Sequence, residues 1–187
     1  MEIVVLRLGH RRARDKRATT HVGLTARALG ADRIIITGDK DETLLKSIRR
    51  VAGRWGGEFE VAMQDSWKPV VKAFKEEGYE IIHLTMYGLP FQTKLEEIRK
   101  SPKNKLLIVG GEKVPGEVYQ AADYNLAVTS QPHSEIAALA VFLDSFFEGK
   151  ELEREFPRAK IKVVPQERRK QVLECGKDSC KPNPKRF

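Results

Sequence analysis

Cysteine is scarce in this chain of 187 residues, which has only Cys175 and Cys180, close together near the C-terminus. A lone C-x4-C pair lacks the second pair of ligands that a structural zinc site needs. The spacing leaves open inert thiols or a disulfide, which occurs inside cells in hyperthermophile proteins. Metal-ligand spacing is also absent among the histidines, which are His10, His21, His83 and His133. We expect no bound metal, and we interpret His83, inside an apolar strand, as a satisfied core residue.

Long apolar runs are missing as well. The longest, residues 136–147, is interrupted by Asp144 and falls far short of the ~20 residues that cross a bilayer. The N-terminus carries Glu2 where a signal peptide has a basic residue, and it turns polar within a few residues. We therefore expect a cytoplasmic protein with no membrane association.

Common nucleotide-binding and hydrolase motifs are absent too. No GxGxxG follows the first apolar strand and the chain has no GxxxxGK[ST], which disfavours ordinary dinucleotide and P-loop sites. The chain also has no G-x-S-x-G, the nucleophile elbow of the α/β-hydrolases.

Positive charge, in contrast, is in excess and is concentrated at both ends of the chain. The net charge is +8; residues 1–33 hold eight Lys or Arg against three Asp or Glu, and residues 150–187 hold twelve against six. The intervening residues are net negative. This distribution predicts a polyanionic partner that contacts both ends, nucleic acid above all. The alternative is a soluble protein whose basic tails are merely solvated.

Short apolar strands alternate with helical patterns up to residue 149, which is typical of a parallel sheet covered on both faces. We predict an α/β fold with a mostly parallel six-stranded sheet and helices on both faces. The first helix is expected to begin near Val22, with Thr19 and Thr20 as its caps. Residues 1–149 form one domain in this interpretation. Residues 150–187 form a basic C-terminal extension with one further strand at 161–164.

The last helix of the domain, residues 134–147, is apolar around nearly its whole circumference. Such a helix must be covered on all sides. One side can pack on the sheet, and the other needs a second partner, most simply the same helix of another subunit. We therefore predict a homodimer, with burial inside a single chain as the alternative.

Three loops rich in small residues follow the fourth, fifth and sixth predicted strands: TMYGLP, VGGEKVPG and TSQPHS. Ligands bind to open α/β sheets at the carboxyl ends of the strands. Gly88, Gly110 and Gly111 would let the backbone approach a ligand closely. The apolar side chains that could hold a flat ring are Met86, Tyr87 and Leu89. These loops together predict a ligand site.

Three segments resemble the motifs of the SPOUT superfamily of knotted RNA methyltransferases. TTHVGLTARALGADRIII resembles the first motif, Asn-x-Gly-x-x-x-Arg before an apolar strand; His21, Gly23 and Arg27 stand at the Asn, Gly and Arg positions. LLIVGGEKVPG resembles the second motif, a strand that runs into Gly-Asn-Glu-Gly. NLAVTSQPHSEIAALAVFL resembles the third, in which a strand leads through Pro and Ser into an apolar helix. The resemblance covers residues 3–148.

LGHRRARDKRATTHV and QPHSEIAAL resemble, more narrowly, the archaeal tRNA 2′-O-methyltransferases that act on cytidine 56 of the T-loop. This resemblance implies a trefoil knot in the C-terminal half, S-adenosyl-L-methionine as cofactor, tRNA as substrate and a homodimer. The cofactor residues that it implies are Leu84, Thr85, Met86, Tyr87, Gly88, Leu89, Gly110, Gly111, Glu112, Lys113, Val114, Val128, Thr129, Ser130, Gln131, Pro132, His133, Ser134 and Glu135.

Arg27 is the catalytic residue that the resemblance implies. It is expected to stabilise the oxyanion that develops on the ribose and to reach the cofactor of the other subunit. A guanidinium keeps its proton, so Arg27 is not expected to act as a free base. The residues expected to contact RNA are Arg7, His10, Arg11, Arg12, Arg14 and Arg17, together with the basic tail.

Two other functions remain open at this point. A non-catalytic RNA-binding module with an α/β core would keep the same basic ends, but it would have no affinity for S-adenosyl-L-methionine. A flavodoxin-like nucleotide binder would place its ligand at the first strand, where the charged segment GHRRARDKR disfavours it.

Overall fold

Buried strands alternate with helices along the whole domain, in a computed structural model that describes residues 1–111, 113–176 and 180–182. The strands of the main sheet are β1 (Ile3–His10), β2 (Arg33–Gly38), β3 (Glu60–Gln64), β4 (Glu80–Pro90), β5 (Lys105–Val109) and β6 (Tyr124–Ala127). The helices are α1 (Lys16–Ala28), α2 (Glu42–Trp55), α3 (Trp67–Glu76), α4 (Gln92–Lys100), α5 (Gly116–Ala121) and α6 (Glu135–Phe147).

All pairings within the six-stranded sheet are parallel, in the order β3-β2-β1-β5-β4-β6. Side chains on one face of the sheet pack against α1, α2, α4 and α6, and those on the other face pack against α3 and α5. The predicted parallel sheet with helices on both faces is therefore confirmed. No helix in the described ranges is long and apolar enough to cross a membrane.

Strand β4 leaves its ladder with β6 near its carboxyl end. Leu84 and Leu89 both lie opposite Leu126, so residues 85–88 bulge out between two paired stretches. Gly88 fits there because it has no side chain: a Cβ atom would lie 2.5 Å from the backbone of Asn125. Strand β4 therefore continues through TMYGLP, which was expected to be a loop after the strand, and the bulge exposes Tyr87 at the carboxyl edge of the sheet.

Helix α1 begins at Lys16, so the predicted start near Val22 is wrong. Thr19 and Thr20 lie inside the helix and do not cap it. The Thr19 hydroxyl is 3.0 Å from Nδ1 of His10, and the Thr20 hydroxyl donates to the carbonyl of Lys16. The first turn of α1 was not predicted, because its basic residues show no apolar periodicity.

Helix α6 is covered on one side only. Ser134 caps its N-terminus by accepting a hydrogen bond from the amide of Ala137 at 3.1 Å. Phe142 and Leu143 are buried against the sheet and α1, whereas Ala137 and Val141 are exposed. The exposed apolar side of α6 is thus a narrow strip that includes Ala137 and Val141.

The chain after α6 forms a 3-10 turn (Lys150–Glu153) and a small antiparallel sheet of β7 (Ile161–Val164), β8 (Gln171–Cys175) and β9 (Cys180–Pro182). Only β7 was predicted. Cys175 and Cys180 face each other across β8 and β9 and form a disulfide, which was one of the two interpretations left open. Backbone hydrogen bonds from Gly57 to Pro157 and from Lys160 to Arg54 attach the segment to the end of α2.

Candidate functional site

A cleft of about 540 Å³ opens at the carboxyl edge of the sheet, between the β4 bulge, the turn after β5 and the N-terminus of α6. The predicted site residues that line it are Leu84, Thr85, Met86, Tyr87, Gly110, Gly111, Lys113, Val114, Pro132, His133, Ser134 and Glu135. Residues from all three predicted loops therefore lie around one cavity. Its volume is in the range of ordinary small-molecule sites.

Other predicted site residues lie beside the cleft. Gly88 and Leu89 line an adjacent cavity of about 450 Å³, which Tyr87 also borders. Val128 packs against the core, while residues 129–131 are exposed outside the cleft lining. Glu112 lies outside the described residues.

The turn after β5 needs a glycine at position 110, since a Cβ atom there would collide with the side chain of Val114. Gly111 lies directly above a buried arginine: a Cβ atom at this position would be 3.6 Å from both terminal nitrogens of Arg7. The backbone of this turn is therefore exposed to the cleft without intervening side chains at two successive positions.

Arg7 is 2% exposed, so the prediction that it contacts RNA is wrong for this conformation. Its Nη1 donates to the carbonyl of Leu8 at 2.6 Å, and its Nη2 donates to Oε1 of Glu135 at 2.9 Å. Burial lowers the pKa of Arg7, and the carboxylate of Glu135 opposes that shift. Arg7 thus ties the end of β1 to the start of α6, beneath the cleft.

Three lining residues were not predicted as site residues: His83, Tyr119 and Ala138. The imidazole of His83 is fully buried, and its Nδ1 lies 2.9 Å from Oδ1 of Asn125. The ring of Tyr119 packs edge-on against it, with 4.7 Å between the centroids. The Tyr119 hydroxyl is 2.8 Å from that of Thr85. No sequence motif marked Tyr119 as a site residue.

His83 is a core residue, as expected, but it is not fully satisfied. Its Nε2 has no hydrogen-bond partner among the described residues. Burial lowers the pKa of His83, against the hydrogen bond with Asn125, which raises it. The imidazole is therefore neutral at physiological pH.

Arg27 does not line the cleft of its own chain and borders a separate cavity of about 230 Å³. It comes eleven residues after the start of α1, or about 16 Å along the helix axis, towards the opposite edge of the sheet. The side chain is 7% exposed, donates to the carbonyl of Gly56 at 2.5 Å and packs over the ring of Phe156 at 4.4 Å. Within this chain the guanidinium is therefore enclosed between the end of α2 and the extension, and its reach towards a partner subunit's cleft stays a prediction.

The segment from the end of β1 into the first turn of α1 carries the other predicted RNA contacts. Four of them are exposed there: Arg11, Arg12, Arg14 and Arg17. We call residues 11–17 the basic loop. Its backbone is held in place, because Asp15 accepts from the Arg11 amide and Asp39 accepts from the Arg12 amide.

His10 is 1% exposed, so it does not present its side chain to RNA as predicted. It lies under the basic loop, with Nδ1 3.0 Å from the Thr19 hydroxyl and Nε2 3.8 Å from the carboxylate of Asp41. Burial lowers its pKa, and Asp41 opposes the shift. His10 therefore joins β1, α1 and the N-terminus of α2 from below.

The basic loop follows the carboxyl end of β1, so it lies at the same edge of the sheet as the cleft. Within the described part of the chain, no group of His, Cys, Asp or Glu side chains is arranged to hold a metal ion. The carboxyl edge thus combines a small-molecule cleft with an exposed cationic surface.

The chain is similar to proteins of known family. The family model of tRNA ribose 2′-O-methyltransferase, aTrm56, matches residues 55–173. The chain is 55% identical over 175 residues to the tRNA (cytidine(56)-2′-O)-methyltransferase of Thermococcus kodakarensis, covering 92% of this chain and 97% of the relative. The protein of the same name from Methanopyrus kandleri is 55% identical over 169 residues, which cover 90% and 94% of the two chains.

The fold is similar to that of the SpoU methyltransferase AviRb from Streptomyces viridochromogenes, solved in complex with AdoMet. The TM-score is 0.56 at 14% identity, over 79% of this chain and 57% of that chain. This likeness concerns the fold, whereas the sequence relatives identify the family. The chain belongs to the family of archaeal tRNA ribose 2′-O-methyltransferases, aTrm56.

Proposed function

We propose that this enzyme transfers a methyl group from S-adenosyl-L-methionine to the ribose 2′-hydroxyl of cytidine 56 in tRNA. The observation that carries the proposal is that the 540 Å³ cleft and the exposed basic loop lie at the same edge of the sheet. Relatives that are 55% identical bear the name of this activity. A tRNA substrate also supports a cytoplasmic location.

The cleft fits the proposed cofactor in size and in chemistry. Leu84, Val114 and Ala138 give it apolar walls for a purine, and the Gly110–Gly111 turn offers bare backbone. The N-terminus of α6, which carries partial positive charge, lies at the cleft and favours the cofactor carboxylate. The predicted residues Gly88, Leu89 and 128–131 would shape the two flanking loops.

The bound cofactor supplies an activated methyl group whose leaving group is a neutral thioether. The protein then has to orient the ribose hydroxyl in line with that methyl group, which can contribute ~7–11 kcal/mol. We assign stabilisation of the developing oxyanion to an arginine of the basic loop, in place of the buried Arg27. Arginine keeps its proton, so the hydroxyl proton passes to an RNA phosphate or to water.

The exposed arginines of the basic loop and the basic extension, residues 150–187, would bind the RNA backbone. Such contacts position the RNA and do not by themselves select a base. Each phosphate that is neutralised should make log K fall by ~0.7–0.9 per tenfold rise in salt.

We also propose that the enzyme is a homodimer that packs through the uncovered side of α6. Val141 is 43% exposed there and Ala137 lies one turn away, so two helices could approach closely. Light scattering should give twice the chain mass, and Val141→Asp should give monomers. A monomeric wild-type protein would exclude this assembly.

A trefoil knot in the C-terminal half is part of the same proposal. Strand β5 lies between β1 and β4, so the chain must pass to the outer side of β4 to form β6. Threaded chains are very rare in general, and this strand order supports one here. A backbone trace from a crystal structure decides between a threaded and an unthreaded path.

The activity is tested with labelled S-adenosyl-L-methionine and an unmodified tRNA transcript, followed by nuclease digestion. We expect one label per tRNA, on the ribose of cytidine 56. A matched transcript that carries 2′-deoxycytidine at position 56 should accept none. Label on a base, or label on the deoxy transcript, contradicts the proposal. Tight tRNA binding without cofactor affinity would instead indicate the non-catalytic RNA-binding module.

A further inference from the structure

The lining of the cleft contains a buried polar atom that has no partner among the residues the structure describes. Nε2 of His83 has no hydrogen-bond partner in the described part of the chain, although the side chain is fully buried. An unpaired polar atom in such a place costs about 1–3 kcal/mol. Buried polar atoms are otherwise almost always paired, so this one requires an explanation.

The hydrogen bonds around His83 determine which ring nitrogen carries the proton. The side-chain amide of Asn125 donates to the carbonyl of Tyr119 at 2.9 Å, so its Oδ1 is the atom that faces His83. An oxygen can only accept, and Nδ1 of His83 must therefore donate to it. In the neutral ring Nε2 then carries a lone pair and no proton. The free atom is a hydrogen-bond acceptor.

The surroundings of His83 indicate which donor would pair with this acceptor. The ring of Tyr119 packs against the imidazole of His83, and the apolar side chain of Val114 lines the cleft with them. Ser134 and Glu135, at the N-terminus of α6, form the polar side. A flat purine suits the apolar side, and the charged methionyl group suits the polar side. The donor on a flat adenine ring is its exocyclic amine.

We propose that His83 is a specificity residue of the cofactor cleft, whose Nε2 accepts a hydrogen bond from the exocyclic amine of the adenine. The inference rests on the proposed binding of S-adenosyl-L-methionine in this cleft. The ring of Tyr119 must turn aside for the amine to reach Nε2. This movement breaks the hydrogen bond between the hydroxyls of Tyr119 and Thr85. Asn125 positions the imidazole and fixes its tautomer.

The test compares S-adenosylhomocysteine with S-inosylhomocysteine, in which a carbonyl replaces the exocyclic amine. A site built around an acceptor rejects a ligand that presents a second acceptor. Calorimetry on the wild-type protein should show at least about 10²-fold weaker binding of the inosyl ligand. In His83→Asn the amide can still donate to Asn125, but no acceptor remains at the Nε2 position. The preference for the adenosyl ligand should then fall about tenfold or more.

The ratio of the two affinities separates recognition from structure. If His83 has only a structural role, His83→Asn should weaken the binding of both ligands equally and leave the ratio of affinities unchanged. That result would overturn the inference. Gly110→Ala, which forces a Cβ atom onto Val114, tests the site itself. If it changes neither affinity, the cofactor does not bind in this cleft and the proposed function fails. If it weakens both ligands while His83→Asn keeps the ratio, only the role of His83 fails.

A measurement on the wild-type protein covers the case in which His83→Asn does not fold. Nitrogen-15 NMR of labelled histidine should show Nε2 of His83 without a proton in the free protein. Its resonance should move when S-adenosylhomocysteine binds and should move much less with the inosyl ligand. A protonated Nε2, or a resonance that does not respond to the adenosyl ligand, overturns the inference.

Discussion

Replacing Arg7 by methionine tests whether this arginine supports the cleft from beneath or contacts RNA, as its place in a basic segment first indicated. Methionine keeps much of the apolar stem and removes the guanidinium. The carbonyl of Leu8, 2.6 Å from Nη1, and the carboxylate of Glu135, 2.9 Å from Nη2, then lose their donor. The change therefore removes two charged hydrogen bonds in a buried place.

The expected loss of stability follows from the burial of the two partners. Removing one member of a buried ion pair destabilises a protein by about 3–5 kcal/mol. The side chain of Glu135 is 20% exposed, so water can partly solvate the carboxylate that is left behind. We expect the lower end, about 3 kcal/mol. Glu135→Gln keeps an oxygen that accepts from Arg7, so it should lose only about 1–2 kcal/mol.

Urea denaturation measures the free energy of unfolding, and titration of tRNA binding with potassium chloride measures the number of phosphate contacts. Arg7→Met should be strongly destabilised, should bind cofactor more weakly, and should keep the wild-type dependence of tRNA binding on salt. A variant as stable as the wild type to within about 0.5 kcal/mol, with a shallower salt dependence, would refute the buried role of Arg7.

Arg12→Ala should behave in the opposite way: the side chain is exposed, so stability should stay unchanged while the salt dependence of tRNA binding decreases by ~0.7–0.9. Gly53→Ala should raise the free energy of unfolding by about 0.5–1 kcal/mol in urea, since Gly53 lies inside α2 with open space at its Cβ position. Burial lowers the pKa of both His10 and His83 below the ordinary value of 6.5. The unfolded chain then binds more protons than the folded one, so the free energy of unfolding should fall as the pH drops below about 6.5. His83→Asn should reduce that fall in urea denaturation at each pH, and an unchanged profile would contradict the shift.

The sheet, its helices and the three loops of the cleft could be predicted because each follows from a local pattern. Apolar strands of four to eight residues, and glycines after them, indicate the elements and the edge at which ligands bind. The β4 bulge could not be predicted, since it depends on how Gly88 meets the backbone of Asn125 on another strand. The contribution of Tyr119 to the cleft could not be predicted either, because it depends on the packing of the Tyr119 ring against His83 of another element.

The positions of the arginines show most clearly where a linear pattern falls short. Arg7, Arg12 and Arg27 have the same chemistry, yet one lies under the cleft, one is exposed and one is buried at the far edge. The position of Arg27 depends on the start of α1 at Lys16. Because α1 begins at Lys16 and not near Val22, Arg27 lies almost a full helix length from the carboxyl edge. There its guanidinium packs on the ring of Phe156 of the extension.

The two edges of the sheet consequently have different roles. At the carboxyl edge, Arg7 fixes the start of α6 while the basic loop stays open to RNA. At the opposite edge, Arg27 contacts both the end of α2 at Gly56 and the ring of Phe156. Within this chain the arginine of the first motif holds the extension to the end of α2. We therefore propose that the oxyanion of the ribose is stabilised from the basic loop, the exposed cationic segment at the same edge of the sheet as the cleft.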